Sequence, residues 1–155
     1  MVYTELTRKA MEIAYRAHDG DIDKAGFPYF VHPLMVANAM DDEYSTCVAL
    51  LHDVVEDTEV TLEDLTREGM PDEVVRSVAL LTHAKHKPYA EYIENLLPDE
   101  IARKVKKADI GQNSLADRNA LVALWQNDQS KADRLAEKYA KAIELIENWE
   151  AAHNA

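Results

Sequence analysis

Apolar residues recur along this chain at the spacing of an α-helix, and that pattern limits the possible folds more than any other feature. Between Thr4 and His18 the apolar side chains fall on one stripe, and Thr4 stands where a helix cap is expected. Strands would need alternating Val, Ile, Tyr and Thr between turn signals, and no stretch has that alternation. We therefore predict an all-α fold. The first stripe consists of Leu6, Ala10, Ile13, Ala14 and Ala17.

Further helices are predicted by the same spacing and by signals at their ends. Residues 19–27 contain two glycines and three aspartates, which is typical of a loop. Thr61 and Asp64 resemble a capping box, and Pro71 stands where a helix begins. No linker, repeat or low-complexity segment interrupts the chain, so we predict a single domain over residues 1–155. The other predicted helices cover residues 34–40, 43–56, 89–96, 98–108 and 131–149.

The charge balance excludes several classes of partner. The 155 residues include 17 Lys and Arg against 29 Asp and Glu, a formal net charge of −12. A nucleic-acid or anionic membrane surface would need a basic face, so neither partner is expected. No apolar run is long enough to span a membrane, the N-terminus lacks the order of a signal peptide, and the single cysteine, Cys47, lies on an apolar helix face. We expect a cytoplasmic protein with a buried, inert thiol.

A cluster of ligand-type residues follows an apolar run at residues 48–51. His52 and Asp53 are adjacent, and Glu56 and Asp57 each lie four residues further on, so that each pair shares one face of the predicted helix. One helix would then offer two metal ligands and, one turn later, two carboxylates able to take a proton from a metal-held water. From spacing alone, a metal site and a chance cluster of solvated carboxylates remain equally open.

Three strings carry a resemblance to a known family. His32-Pro33, the stretch LHDVVEDT at 51–58 and the stretch VKKAD at 105–109 resemble the H…HD…D pattern of HD-domain metal-dependent phosphohydrolases. The stretches AHDG at 17–20 and KAGFPYFVHP at 24–33, together with the acidic pair, resemble more narrowly the hydrolase domain of the RelA/SpoT family. The chain length is similar to that of its stand-alone members, the small alarmone hydrolases.

The resemblance implies an HD-domain helical bundle and a manganese-dependent pyrophosphohydrolase. Such an enzyme removes the 3′-pyrophosphate of an alarmone nucleotide, (p)ppGpp or (p)ppApp, leaving a nucleoside 5′-di- or triphosphate and pyrophosphate. Glu56 and Asp57 match the catalytic acidic pair that would position and deprotonate the attacking water. A donor set of imidazoles and carboxylates without thiolates suits Mn²⁺, with Fe²⁺ or another divalent ion also possible. The implied metal ligands are His32, His52, Asp53 and Asp109.

The same resemblance implies a set of nucleotide contacts, with one departure. Lys24 and Asn113 match residues that contact the nucleotide, while Arg134 and Tyr139 lie where a C-terminal helix closes over it; Tyr139 also fits the apolar stripe of a core. Asp23 replaces the arginine that stacks on guanine in the family. It could accept a hydrogen bond from a base amine, so the base preference stays open between guanine and adenine.

Two other functions stay in competition with this one. The first is an HD-domain nucleotidase or phosphodiesterase acting on another nucleotide. The second is a non-catalytic nucleotide-sensing domain, which the intact ligand set disfavours. Formation of a homo-oligomer is left open, and a chain of this length is expected to have no room for a synthetase domain. Among the remaining histidines, His18 is predicted to satisfy carbonyls at a helix end. His83 is predicted to be exposed in a polar loop near the site, with contact to the phosphates as the alternative.

Overall fold

The computed structural model describes residues 1–154, in which helices joined by short loops account for the whole architecture. Apart from them, the described chain contains one isolated antiparallel bridge, between Ile22 and Pro28. The all-α prediction is confirmed. No helix in residues 1–154 has the length and hydropathy that crossing a bilayer requires. The ten helices are α1 (Glu5–Ala17), α2 (Val31–Asn38), α3 (Glu43–Leu51), α4 (Val54–Asp57), α5 (Leu62–Arg67), α6 (Asp72–Leu81), α7 (Tyr89–Leu96), α8 (Glu100–Asn113), α9 (Ala116–Gln126) and α10 (Gln129–His153).

Helix α3 is the centre of the core. It packs against α1, α2, α6 and α8, and every side chain from Ser45 to Leu51 is buried. Asp42 caps it, since its Oδ1 accepts the Ser45 N–H at 2.8 Å. Burying one leucine or valine side chain stabilises the folded state by about 2 kcal/mol. The apolar residues of α3 therefore hold this helix in the core. Its C-terminal end, which carries His52, is therefore held at the middle of the molecule.

The single helix predicted over residues 43–56 is two helices. Helix α3 ends at Leu51, and α4 is a separate turn of four residues, with His52 and Asp53 between them. The Nδ1 atom of His52 donates to the Ala49 carbonyl at 2.6 Å. That carbonyl would otherwise accept the N–H of Asp53 in a continuing helix, so the side chain competes with the helical ladder. The prediction of one continuous helix was wrong for this reason.

Helix α9 was not predicted, because it buries only Val122 and lacks an apolar stripe. Leu124 and Trp125 are largely exposed. The indole of Trp125 nevertheless lies over Gly26, where an added Cβ would come within 2.7 Å of the ring. Gly26 also has a positive φ of 88°, so a glycine there serves both the loop conformation and the close approach of α9. This contact brings α9 against the loop before α2.

Local signals at other helix ends were predicted correctly. Thr4 caps α1 in a capping box with Thr7, and Thr61 caps α5 in a capping box with Asp64. The C-terminal helix is longer than predicted at both ends, as α10 runs over 25 residues. Cys47 is fully buried in the core, and burial raises the pKa of its thiol to about 12. Its prediction as a buried thiol is confirmed.

Candidate metal centre

Four ligand-type atoms from three parts of the chain converge at one point. Nε2 of His32 lies 2.9 Å from Oδ1 of Asp109 and 3.9 Å from Oδ2 of Asp53. Nε2 of His52 lies 3.1 Å from the same Asp53 oxygen and 3.7 Å from Oδ1 of Asp109. Ligands bound to one divalent ion at about 2.1 Å stand about 3 Å from each other. His32, His52 and Asp109 therefore have the spacing of a shared metal site, and Asp53 lies beside them, next to His52.

Each ligand is delivered by an element whose position the core fixes. His32 lies in the first turn of α2, Asp109 lies on α8, and the His52-Asp53 pair fills the break between α3 and α4. Helices α2 and α8 both pack against α3. His32, His52 and Asp109 are buried. The site is thus built where three packed helices meet, on backbone that has little freedom to move.

The tautomer of His52 indicates that a cation belongs at this point. Because Nδ1 donates its hydrogen to the Ala49 carbonyl, the neutral ring turns a lone pair on Nε2 toward two carboxylates. That buried Nε2 has no hydrogen-bond partner in the described chain. Burial alone would lower the pKa of His52, but the carboxylates of Asp53 and Asp109 raise it well above its ordinary value. The two carboxylates therefore favour a positive charge at Nε2 of His52. Either a proton or a metal ion can provide that charge, and the set of imidazole and carboxylate donors fits a divalent ion.

Asp109 is held by two further side chains of its own helix. Lys106 donates to its Oδ2 at 2.7 Å, and the amide of Asn113 donates to its Oδ1 at 2.8 Å. Burial alone would raise the pKa of Asp109, but Lys106 and the two histidines lower it well below the ordinary value. The carboxylate therefore stays ionised and oriented, as a metal ligand must be. Asn113, predicted to contact the nucleotide, reaches the same cavity while bonding to Asp109.

The acidic pair of α4 lies beside the four ligand atoms. Oε1 of Glu56 accepts the backbone N–H of His83 at 2.6 Å, and Oδ2 of Asp57 accepts the hydroxyl of Tyr29 at 3.0 Å. Partial burial and the negative charge of Asp53 raise the pKa of both carboxyl groups. One ligand oxygen from each of Asp53, Glu56 and Asp57 lies within 4.8 Å of the others. Two carboxylates with raised pKa next to a metal site can accept a proton from a metal-held water.

Tyr29 and His18 support this arrangement in ways that the sequence did not indicate. The Tyr29 hydroxyl lies 2.6 Å from Oδ2 of Asp53, so it contacts a metal ligand and the acidic pair at once. The ring of His18 stacks on that of Tyr29 with centroids 4.5 Å apart. Both nitrogens of His18 are buried without hydrogen-bond partners in the described chain. The prediction that His18 satisfies helix-end carbonyls was therefore wrong, and burial lowers the pKa of His18.

A cavity of about 350 Å³ opens onto the metal ligands and contains most of the predicted nucleotide contacts. Lys24, Asn113 and Tyr139 line it, as does Asp23. Arg134 does not: it is exposed on α10 and donates to Ser130 Oγ at 2.6 Å. The structure thus brings together all the predicted site residues except Arg134.

Asp23 makes contacts within the chain that the sequence did not indicate. Its Oδ1 accepts the backbone N–H groups of Ala25 and Phe27 at 2.8 and 3.0 Å, and its Oδ2 accepts from Arg118 at 3.1 Å. The carboxylate therefore shapes the loop and pairs with α9. Arg118 lines the cavity together with Asp23.

Several cavity residues were missed by sequence reasoning. His83 was predicted to be exposed, yet it is half-buried, lines the cavity and stacks on Tyr92 with centroids 4.6 Å apart. A sequence signal existed for Lys106, which stands three residues before Asp109, one helical turn away. No local signal marks Arg118 or Lys138, because their helices approach the site only in the folded chain.

Comparisons with known proteins bear on the family resemblance and on the fold. No family model matches the chain. It is 42% identical over 66 residues to a GTP pyrophosphokinase of Myxococcus xanthus, covering 40% of this chain and 9% of that protein. It is 38% identical over 90 residues to a guanosine-3′,5′-bis(diphosphate) 3′-pyrophosphohydrolase of Haemophilus influenzae, covering 54% of this chain and 13% of that protein. The chain thus spans about a tenth of the length of the curated relatives that it matches.

A solved structure shares the fold over nearly the whole chain. It is described as a metazoan ortholog of SpoT that hydrolyzes ppGpp, and it matches with a TM-score of 0.65, 23% identity and coverage of 93% of this chain and 97% of that one. The likeness at this identity concerns the fold. Together with the sequence matches, it supports the resemblance to RelA/SpoT-type HD-domain hydrolases.

Proposed function

We propose that this chain is a metal-dependent pyrophosphohydrolase that removes the 3′-pyrophosphate from an alarmone nucleotide, (p)ppGpp or (p)ppApp. The observation that carries the proposal is the convergence of His32, His52, Asp53 and Asp109, beside an acidic pair and at a cavity that all of them but His52 line. Relatives named as guanosine-3′,5′-bis(diphosphate) 3′-pyrophosphohydrolases support the choice of reaction. The products would be pyrophosphate and a nucleoside 5′-di- or triphosphate.

The four ligands would hold the metal, which we propose to be Mn²⁺. When bound, it supplies an acidified water and a positive charge against the phosphoryl oxygens. Mixed imidazole and carboxylate ligands without a thiolate support this choice over a zinc site rich in cysteine. Lys106 and Asn113 keep Asp109 oriented, and the Ala49 carbonyl fixes the His52 tautomer.

We assign proton transfer to the carboxylates of the acidic pair on α4. Water adds to the phosphorus joined to the ribose O3′, the P–O3′ bond breaks, and the O3′ atom takes up one proton, equal in number to the proton that the attacking water loses. Glu56 and Asp57 would take the proton of the attacking water. The His83 amide and the Tyr29 hydroxyl hold them toward the cavity. Their raised pKa favours acceptance of a proton, since a base works best when its pKa approaches the working pH.

We also propose a cytoplasmic location and a nucleotide as the partner. Phosphorylated nucleotides are abundant in that compartment, and the single cysteine of this chain is a free, buried thiol, which is compatible with a reducing environment.

The test is a turnover panel with Mn²⁺, read by chromatography. The substrates are ppGpp, pppGpp, ppApp, pppApp, a nucleoside 3′-monophosphate and a cyclic nucleotide. We expect release of pyrophosphate from the bis-pyrophosphorylated nucleotides, and the faster set gives the base preference. Turnover of the monophosphate or the cyclic nucleotide alone would replace the proposal with a nucleotidase or phosphodiesterase. Tight nucleotide binding without any turnover, in protein shown to hold Mn²⁺, would replace it with a sensing domain.

A further inference from the structure

The cavity lining carries charges of both signs. Carboxylates of the proposed metal site and the acidic pair line it, and so do the cationic side chains of Lys24, Lys138 and Arg118. Within the described residues, Arg118 pairs with Asp23, but neither Lys24 nor Lys138 makes an ion pair. The chain has a net charge of −12 and 29 acidic residues. Two lysines without an ion-pair partner in one cavity therefore indicate a binding site for an anion.

Tyr89 lies between two of the cavity's lysines. Nζ of Lys138 is 4.2 Å from the centre of its ring, and Nζ of Lys106 is 5.9 Å from it. The Tyr89 hydroxyl oxygen is buried and has no hydrogen-bond partner in the described chain. The neighbouring Tyr92 hydroxyl, by contrast, donates to the Leu81 carbonyl at 2.8 Å. An unpaired hydroxyl in such a position costs free energy unless a ligand accepts its hydrogen.

The charge on Lys138 has the same implication. Withdrawal from solvent and the positive charges of Lys24 and Lys106 lower its pKa, while two carboxylates of the cavity act in the opposite direction. An anion bound beside Lys138 would favour its charged form. Lys141, three residues further along α10, serves as a contrast, since it pairs with Glu137 at 2.9 Å outside this cavity.

We propose that Tyr89 and Lys138, with Lys24 beside them, form a subsite for a phosphate group of the substrate that the metal does not hold. The inference rests on the proposed function and deepens it. All three groups are hydrogen-bond donors without acceptors, and a phosphate offers charged oxygens that accept several such bonds. The cavity is also large enough, at about 350 Å³, for a ligand bearing a second phosphate group.

Lys106 connects this subsite to the metal centre. The same ammonium that donates to Asp109 at 2.7 Å lies beside the Tyr89 ring. The bound phosphate is consequently close to the one under attack. It belongs either to the far end of the 3′-pyrophosphate or to the 5′-phosphate chain. Both offer the same chemistry to the subsite, so the experiment separates them by using each product of the reaction as a probe.

The experiment is calorimetric titration of Mn²⁺-loaded protein with inorganic pyrophosphate and, separately, with guanosine 5′-diphosphate. The variants are Tyr89→Phe, which removes only the hydroxyl, and Lys138→Gln, which removes the charge. Lys141→Gln is the matched control on the same helix. We expect each test variant to bind one of the two probes about tenfold more weakly, as the loss of one charge-assisted hydrogen bond implies. The control should bind both as the wild type does.

Each outcome has a definite meaning. Selective loss of pyrophosphate affinity assigns the subsite to the leaving group, and selective loss of guanosine 5′-diphosphate affinity assigns it to the 5′-phosphates. Wild-type affinity for both probes in both test variants would overturn the proposal, as would absence of binding to the wild-type protein. Because binding is measured without turnover, failure of the catalytic proposal would appear separately, as an inactive wild type in the substrate panel. Unchanged Mn²⁺ affinity of the variants would exclude an indirect effect through the metal ligands.

Discussion

At the scale of single residues, the Tyr29 hydroxyl joins the two halves of the site. Its oxygen lies 2.6 Å from Oδ2 of Asp53 and 3.0 Å from Oδ2 of Asp57. Because the hydroxyl has one hydrogen, it can donate to only one of these carboxylates at a time. Burial and the two carboxylates raise the pKa of Tyr29 far above its ordinary value, so the hydroxyl keeps its hydrogen. If a metal ion bound the carboxylate of Asp53, the Tyr29 hydroxyl would donate its hydrogen to Asp57. Metal binding and orientation of the acidic pair are thus linked through one atom.

The acidic pair provides the first prediction. The double variant Glu56→Gln, Asp57→Asn keeps the shape of both side chains but removes the groups that accept a proton. We expect turnover of the preferred alarmone to fall by at least about a hundredfold, while Mn²⁺ affinity, measured by calorimetry, changes little. Glu59→Gln, an exposed carboxylate just beyond α4, is the control. Retained turnover in the double variant with excess Mn²⁺ would contradict the proposed role.

The convergence of the proposed metal ligands could be predicted from the sequence, whereas the groups that orient them could not. His52 and Asp53 are adjacent and follow an apolar run, which makes a buried, charged pair visible in the sequence. The supporting contacts are different in kind: a backbone N–H from His83 and a hydroxyl from Tyr29, each more than twenty residues away from its partner. Such contacts depend on the tertiary approach of loops, so no local spacing reveals them. For the same reason, the sequence suggested a hydrogen bond from Asp23 to a nucleotide base and did not reveal its ion pair with Arg118.

At the scale of elements, caps and loops decide which helices approach the site. The predictions succeeded where a capping residue or an apolar stripe was present, as at Thr4 and Thr61. They failed for α9, which meets the loop before α2 through the contact of Trp125 with Gly26 and the pair of Arg118 with Asp23. These contacts lie outside any helical periodicity, and α9 brings Arg118 to the cavity.

Gly26→Ala tests the docking of α9. Gly26 and Gly20 both have positive φ, 88° and 79°, so an alanine at either strains the backbone by about 1–2 kcal/mol. At Gly26 the new Cβ would also collide with Trp125, whereas at Gly20 nothing lies within 4 Å. We expect Gly26→Ala to lose about 1–3 kcal/mol more than Gly20→Ala in denaturant unfolding. Equal losses in the two variants would show that the indole contact does not hold the helix.

Asp42 tests the cap of the central helix α3. Although burial acts to raise the pKa of Asp42, hydrogen bonds from Ser45 and Lys104 lower it to about 2. A folded-state pKa below that of the unfolded chain stabilises the fold above the unfolded pKa, and this stabilisation disappears as the pH falls toward 2. We expect Asp42→Ala to cost about 1 kcal/mol at pH 7, and the difference from wild type to shrink between pH 4 and 2. Asp72→Ala, an exposed carboxylate, is the control. A difference that does not change with pH would contradict this account.

At the scale of the whole molecule, the proposed metal site is part of the core. His32, His52 and Asp109 are buried in the middle of the core. The core and its metal site therefore share the same helices, α2, α3 and α8. Unlike a metal site on a surface loop, this one should contribute to the stability of the whole fold.

Metal loading is accordingly expected to raise the melting temperature. Mn²⁺ at about a hundred times its Kd would stabilise the fold by about 2.7 kcal/mol, or about 5–10 °C for a chain of this size. Removing the ion with a chelator should reverse the shift. Asp109→Asn should lose most of it, whereas Asp117→Asn, exposed on α9, should keep it. An equal shift in both variants would mean that Mn²⁺ binds elsewhere.

The break between α3 and α4 has a consequence for motion. His52 ends the most deeply packed helix, whose amide hydrogens should exchange with solvent only when the entire molecule opens. Glu56 and Asp57, in contrast, belong to a helix of four residues with few bonds of its own, and its amides should exchange through local fraying. The end of α3, which would hold the ion, is therefore expected to open rarely. The acidic pair on α4 is expected to move more often, so that it can adjust during each catalytic cycle.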